Sequence, residues 1–434
     1  MKKIKWIALL CVAFATMFFN ACGDGTNSTE QSVLGVEDAP YPAIFKPADE
    51  EYPYAGIPRI VIETENRQAI KSRKTEIPAK LQIWGEKEAE SEVLDLTIRG
   101  RGNTSWGNMP KKSYKIEFEK RQSMLGMPKD KDWALISNYA DRSLLRNYTA
   151  YRLSAALGAY YAPKCEFAEL YLNGEYLGLY LLSETVKIGK NRINIPEDDY
   201  SYIVEVDEKY DASEQVVFSD VLITKNKGKA FRVHDPKDAS TFALDSIEGF
   251  IRSFENHLMT FDTGKDNDFE SWIDVGESVK HYWVQEFSKN PDAEFYTSVY
   301  FSWVKGEKIK MGPVWDFDLA YGNHKNEKVN SAEEWYMRKY WYFYLYRDLT
   351  YKKRLRECWL ENKILFERVL DSIDVYRALI EKASQNNFKR WDILNLVDDA
   401  FFHKLYSSYN DAVEDLKEWI SQRFQWINRQ YEEK

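Results

Sequence analysis

The alternation of apolar and polar residues between positions 59 and 118 is typical of β-strands. Apolar side chains recur at every second position in Leu94–Arg99 and again in Ser113–Phe118, which is the period at which strand side chains share a face. The runs 60–64 and 79–84 are rich in strand-forming residues. A polar loop with three glycines, 100–107, joins the last two predicted strands. The pattern therefore predicts a β-rich N-terminal region.

Further along the chain the pattern predicts two hairpins. Residues 170–172 and 176–182 flank Asn173-Gly174, a dipeptide that favours a two-residue hairpin turn. Residues 296–303 and 308–314 flank Lys305-Gly306-Glu307, which predicts a second hairpin. Between them, residues 202–207 read as a strand that carries two acidic residues.

Helical patterns appear first near residue 141 and dominate from about residue 235. Asp141 is a predicted N-cap for a helix ending near Gly158, Asp274 for one from 275 to about 289, and Thr241 or Asp245 for one through 259. Ser331 is the predicted cap of a segment rich in Trp and Tyr, and amphipathic helices follow from about residues 351, 369 and 400. We interpret this region as packing support. The fold class is therefore predicted to be α+β, with a β-rich lobe over 58–235 and a mainly helical lobe over 236–434.

The N-terminus has the pattern of a bacterial export signal. Three lysines precede an apolar run, 6–19, that is too short for a comfortable membrane span. Phe19-Asn20-Ala21-Cys22 resembles the lipobox of bacterial lipoproteins, which are cleaved before the cysteine and acylated on it. We predict a signal peptide over 1–21, lipidation of Cys22, a polar tether over 22–57, and a location in the cell envelope, at the outer membrane. A plain secretory signal is the alternative.

Charge and cysteine content narrow the function classes. The net charge of −9 and the pI of about 5.4 argue against nucleic-acid binding. If Cys22 is lipidated, Cys165 and Cys358 could pair with each other, but two cysteines are too few for a disulfide framework. Both are expected to pack as small apolar groups. The histidines are scattered singly and lack zinc-ligand spacing.

The strongest candidate site is Trp315-Asp316-Phe317-Asp318. In an extended segment Asp316 and Asp318 point to one face, where two carboxylates suit Mg²⁺ shared with substrate phosphates. Asp292 precedes the second predicted hairpin and Asp316 follows it, so antiparallel pairing brings the third acid to the same place. Solvated acids at a strand end are the alternative.

A second candidate is the Gly-rich loop, whose backbone N–H groups could bind anionic oxygens. Its polar residues are Arg101, Asn103 and Ser105, and Lys112 and Lys115 follow on the next predicted strand. The loop matches neither common phosphate-binding fingerprint, and a plain hairpin connection explains it equally well. Glu184, directly after a buried strand, could orient such a lysine or bind metal, or could be a surface acid.

Taken together, these stretches resemble the spore-coat-protein-H (CotH) kinase family of secreted proteins with an atypical kinase-like fold. The matching stretches are 99–106 with 111–116, Arg146-Asn147, 174–180 with Glu184, Asn290-Pro291-Asp292 and 312–318, in order over roughly residues 58–325.

The resemblance implies ATP, Mg²⁺ (or Mn²⁺) and phosphoryl transfer to Ser or Thr of protein substrates. It implies that Lys115 or Lys112 contacts the nucleotide phosphates, that Glu184 positions that lysine or the metal, and that Asp292 is the catalytic-loop carboxylate. Asp316 then resembles the metal-binding Asp of a kinase, and Asp318 an additional ligand.

One departure from the family pattern leaves alternatives open. Ser298 stands where the family often has an Asn that would bind a second metal. A catalytically weak kinase-fold lipoprotein that binds surface glycans or proteins is therefore the alternative function, and a metal-dependent phosphohydrolase is a third. The expected partners are an envelope protein substrate and, through Cys22, the membrane.

Overall fold

Seven strands at the N-terminal end of the described chain close into a barrel. The structure is a computed structural model and describes residues 46–210, 213–224, 227–398 and 401–432. The barrel strands are β1 Arg59–Thr64, β2 Ile77–Trp84, β3 Leu94–Arg101, β4 Ser113–Gln122, β5 Asp130–Ile136, β6 Cys165–Leu172 and β7 Glu175–Glu184. They lie in the order β1-β2-β3-β4-β5-β7-β6. The barrel closes because β1 pairs antiparallel with β2 and parallel with β6.

Strand alternation divides the barrel residues into an inner and an outer set. On β4, Tyr114, Ile116 and Phe118 point inward and pack in an apolar core with residues from the other strands. Lys115 therefore lies on the outer face. In the ladder between β3 and β4, Lys115 is opposite Arg99, and Arg101 is opposite Ser113, so Arg101 and Lys115 share that outer face.

A second, five-stranded sheet packs with the helices. Its strands are β8 Ser201–Val206, β9 Val216–Thr224, β10 Lys227–Asp235, β11 Val299–Val304 and β12 Lys310–Met311, in the order β12-β11-β8-β10-β9. The predicted hairpin after residue 296 is present as β11 and β12, with shorter strands than the pattern suggested.

The helices lie mostly in the C-terminal half. They are α1 Thr104–Asn108, α2 Arg146–Ala156, α3 Thr241–Met259, α4 Val275–Ser288, α5 Glu327–Asn330, α6 Trp341–Leu345, α7 Leu349–Glu367, α8 Val369–Arg390 and α9 Tyr409–Glu432. The mixed α+β class is confirmed, with a β-rich N-terminal region and helices toward the C-terminus.

Three of the predicted helix caps are wrong. The helix after Asp141 begins only at Arg146, because Leu144 has a left-handed φ of 62°. Ser240, not Thr241 or Asp245, caps α3 by accepting a hydrogen bond from the Ala243 N–H. Ser331 ends α5 instead of starting a helix. By contrast, Asp274 caps α4 as predicted, with its carboxylate 3.0 Å from the Glu277 nitrogen.

The last residues of the predicted tether lie against the folded body. Tyr52 stacks on Tyr176 with ring centroids 4.1 Å apart. The Asn386 side chain of α8 donates a 2.8 Å hydrogen bond to the Pro53 carbonyl, and the Lys389 ammonium donates one of 2.7 Å to the Glu51 carbonyl. The predicted signal peptide and Cys22 lie outside the described residues.

The aromatic-rich segment serves packing, as we predicted. Trp341 and Tyr342 are each 1% exposed and belong to the large core shared by the helices and the second sheet. Cys165 and Cys358 are both free thiols.

None of the helices in the described ranges is both long enough and apolar enough to cross a membrane.

Candidate active site

Three carboxylates meet where the β11–β12 hairpin joins the rest of the chain. Asp292 lies in the single 3₁₀ turn Pro291–Ala293 that follows α4, and Asp316 and Asp318 lie just after β12. The charge of Asp316 acts on Asp292, and the charges of Asp316 and Asp292 both act on Asp318. The structure thus brings together the three acids that the hairpin pattern predicted.

Two asparagines hold the backbone of this turn in place. The Asn290 side-chain amide donates to the Asp316 carbonyl at 3.0 Å, and its oxygen accepts from the Asp292 N–H at 3.2 Å. The Asn147 oxygen accepts from the Phe317 N–H at 2.8 Å. Asp316 itself has a φ of 64°, in the left-handed region that Asp and Asn tolerate better than most residues. These contacts fix the backbone at Asp316 and Phe317.

Burial, and after it the charges of neighbouring acids, raises the pKa values of Asp292 and Asp318. Burial, then the charges of Asp316 and Asp207, raise the pKa of Asp292 to about 7. Burial, then Asp316 and Asp292, raise the pKa of Asp318 well above its usual range. Carboxylates whose ionised forms are this unfavourable are a common feature of sites that bind cations or move protons.

Two positively charged side chains, those of Arg101 and Lys209, lie near the acids. The Arg101 guanidinium lies over the Trp315 ring, 4.8 Å from its centroid, and Lys209 lies over Tyr296 at 5.0 Å. Burial raises the pKa of Asp316, while Arg101 and Lys209 both act to lower it. The sequence analysis named Arg101 but missed Lys209. The available signal was its position two residues after Asp207, at the end of the acidic strand β8.

The Gly-rich loop lies directly after β3 and forms the short helix α1. Asn103 is exposed and accepts a hydrogen bond from Arg73. Ser105 packs against Gly102, where its hydroxyl oxygen occupies the space that a Cβ would need. The Lys112 ammonium donates a 2.6 Å hydrogen bond to the Trp106 carbonyl and so contacts the backbone of the loop.

Lys115 and Glu184 do not pair with each other. Each forms an ion pair with a different residue. The Lys115 ammonium lies 2.8 Å from Glu117 and 2.5 Å from Asp132. The Glu184 carboxylate lies 2.8 Å from the Arg192 guanidinium. Their roles toward a nucleotide, like those of Lys112, Asn103 and Ser105, stay predictions.

The metal assignment also stays a prediction. Across the part of the chain that the structure describes, no group of three or more His, Cys, Asp or Glu side chains is arranged to hold a metal ion. Mg²⁺ bound with a nucleotide commonly uses only one or two protein carboxylates, and phosphates and water complete its shell. Asp316 and Asp318 supply two oxygen-ligand side chains of the appropriate chemistry.

We expect the substitution Asp292→Asn to stabilise the metal-free protein at pH 8. The pKa of Asp292 is about 7 in the folded protein, against about 3.9 in an unfolded chain. Ionisation therefore costs the folded state progressively more from about pH 4 upward, and the cost is complete above about pH 7. An Asn cannot ionise, so the free energy of unfolding should rise by about 1–2 kcal/mol at pH 8 and by less at pH 5. Urea titrations in EDTA at both pH values measure it.

The substitution Asp132→Asn is the control, because its expected effect on the free energy of unfolding has the opposite sign. Burial acts to raise the pKa of Asp132, but Lys115 and Lys187 together hold it well below its usual range. Its ionised form therefore stabilises the fold above the unfolded pKa, and this stabilisation is lost as pH falls toward the low folded pKa. Asp132→Asn should lower the free energy of unfolding by about 3 kcal/mol at pH 8. A loss of stability from Asp292→Asn would contradict the electrostatic picture of the acid cluster.

Comparison with known proteins places the chain in a family. The family model described as CotH kinase protein matches residues 98–427, which is most of the chain. The chain belongs to the CotH kinase family and is a kinase-like protein. A search of curated proteins finds no match.

Proposed function

We propose that this protein is an exported protein kinase that uses ATP and a divalent metal to phosphorylate Ser or Thr hydroxyls of envelope or secreted proteins. The observation that carries the proposal is the cluster of Asp292, Asp316 and Asp318 beside Arg101. Phosphoryl transfer needs positioning, a metal and neutralisation of charge more than covalent help from the protein. In this proposal the barrel is the nucleotide-side lobe of an atypical kinase fold, and the helical region is the other lobe.

Each charged side chain has a role that its surroundings support. Asp316 and Asp318 would supply carboxylate oxygens to a divalent ion, which when bound would neutralise charge on the nucleotide phosphates. Arg101, fixed over Trp315, offers a planar donor to a phosphate oxygen. Lys209, next to Tyr296, adds a second positive charge that acts on Asp316.

Asp292 is the proposed proton acceptor for the substrate hydroxyl. Its pKa of about 7 matches the operating pH of a general base, at which proton transfer is most effective. The Asn290 side-chain oxygen accepts a hydrogen bond from the Asp292 N–H and so holds the backbone of Asp292.

Ser298 supports a weaker variant of the same proposal. It is half-buried with a φ of 57° and lies between Asp292 and β11, where a kinase would place an Asn for a second metal. Serine is a poorer metal ligand than the Asn amide, so turnover is proposed to be slow. Export and the lipid anchor rest on residues 1–22 and remain part of the proposal.

A ligand panel followed by thermal unfolding tests the proposal. We expect ATP with Mg²⁺ or Mn²⁺ to raise the midpoint temperature of the full chain, because a ligand at 100 times its Kd adds about 2.7 kcal/mol of stability. ADP with metal should act more weakly, and labelled ATP should give autophosphorylation or phosphorylation of envelope extracts. Stabilisation by metal without any adenine preference favours the phosphohydrolase instead. No response to ATP with either metal would overturn the kinase proposal.

A further inference from the structure

A cavity of about 860 Å³ lies against the barrel, and its lining residues do not include Asp292, Asp316 or Asp318. It is lined by β1, by the turn between β6 and β7, by residues 46–52 and by the end of α8. Arg101, Lys112 and Lys115 do not line it. We propose that this cavity is a binding site for a neutral carbohydrate.

The first support is a platform of tyrosine rings. Tyr52 stacks on Tyr176 at 4.1 Å, and Tyr171 packs against Tyr176 with centroids 5.1 Å apart. All three rings line the cavity. Aromatic rings offer flat apolar faces on which the C–H face of a sugar ring can pack, and tyrosine adds a polar edge.

The second support is a buried hydroxyl that has no partner. Tyr171 is 5% exposed, and its hydroxyl makes no hydrogen bond to any residue that the structure describes. A buried hydroxyl without a partner costs free energy, and such groups are uncommon in native proteins. A hydroxyl of a ligand in the cavity would satisfy it.

The charges that line the cavity argue for a neutral ligand. Two ion pairs already join them: Arg390 lies 2.5 Å from Glu175, and Arg67 lies 3.7 Å from Glu63. The lining cations and acids are equal in number: Lys46, Arg67 and Arg390 against Glu51, Glu63 and Glu175. With no net charge, the site does not favour an anion such as a phosphate, while its carboxylates and amide groups can bind sugar hydroxyls.

Calorimetric titration of the full chain in detergent with maltohexaose, cellohexaose and chitohexaose tests the proposal. We expect at least one of the three to bind. Tyr52→Ala should weaken that binding about tenfold through loss of the stacking face. Tyr171→Phe removes one hydroxyl and should weaken it about fivefold. Since the Tyr171 hydroxyl bonds to none of the residues that the structure describes, this variant should keep or slightly raise the midpoint of thermal unfolding.

Tyr200→Ala is the matched control, because Tyr200 is 50% exposed and contacts Phe242 and Lys305 instead of the cavity. Its sugar affinity should equal that of the wild type. The proposal is overturned if none of the three sugars binds, if Tyr52→Ala and Tyr171→Phe bind as tightly as the control, or if inorganic phosphate displaces the sugar. ATP-dependent activity should be the same in all these variants, so the outcome is independent of the proposed kinase function.

Discussion

Replacing Asp316 by Asn is expected to lower the rate of ATP-dependent phosphotransfer by about 10²–10³-fold, the loss typical of removing one fixed electrostatic contact to the transition state. The substitution removes the charge that would hold the metal but keeps the size of the side chain. Asn also tolerates the left-handed φ of 64° at this position. The backbone bond from Asn290 to the carbonyl of residue 316 does not involve the side chain and should persist. Initial rates with labelled ATP and Mn²⁺ measure the effect.

The matched control is Asp268→Asn, since Asp268 is an exposed aspartate with a similar φ of 54°. It lies in the loop between α3 and α4 and should leave the rate unchanged. Equal rates in the wild type and Asp316→Asn would remove Asp316 from the proposed mechanism. Equal losses in both variants would assign the effect to the backbone instead of the charge.

The largest loss of stability is expected from Arg423→Met in α9. The Arg423 and Glu286 side chains are both 0% exposed, and the guanidinium lies 2.5 Å from the carboxylate. Arg423 also donates to the carbonyls of Ala332 and Glu334 at 3.0 and 2.8 Å. Methionine would leave the Glu286 charge buried with less compensation, which costs about 3–5 kcal/mol of unfolding free energy.

The comparison is Arg429→Met, about one and a half turns further along α9. Arg429 is 50% exposed and lies 3.6 Å from Glu333, which is 64% exposed. Such a surface pair contributes at most about 1 kcal/mol, so Arg429→Met should shift a urea unfolding curve only slightly. Similar shifts for the two variants would show that the buried pair is no more important than a surface one.

The sequence predicted the strands of the barrel but not its closure. Alternation identified β3 and β4, and the Asn173-Gly174 turn identified β6 and β7, because these signals are local. The contact that closes the barrel is the parallel pairing of β1 with β6, in which Arg59 lies opposite Glu169. Nothing in either strand alone specifies a partner more than a hundred positions away. Strands β9 and β10 were missed as well. β10 carries five ionisable residues among its nine, whereas β9 is rich in apolar strand-forming residues, so its signal was present in the sequence.

The candidate site was also predicted only in part, because sequence signals are local and do not specify distant contacts. Hairpin geometry predicted that Asp292 lies near Asp316 and Asp318, and in the fold the charge of Asp292 acts on Asp318. The sequence could not show which cation meets these acids, because Arg101, Lys112 and Lys115 follow one another closely along β3, the loop and β4. In the fold, Arg101 reaches Trp315 while Lys115 is paired with Glu117 and Asp132. Only the folded structure shows that Arg101 and Lys115 have different partners.

The closed barrel has a consequence for how the family region can be isolated. The matched range begins at residue 98, within β3, so a fragment cut there would lack β1, β2 and the first part of β3. β6 would lose its parallel partner, and the remainder of β3 would lose its antiparallel one. Both would then present rows of unpaired N–H and C=O groups, which template association between chains. A fragment starting at the family boundary should therefore aggregate, whereas one that retains residue 59 onward keeps every strand of the barrel paired.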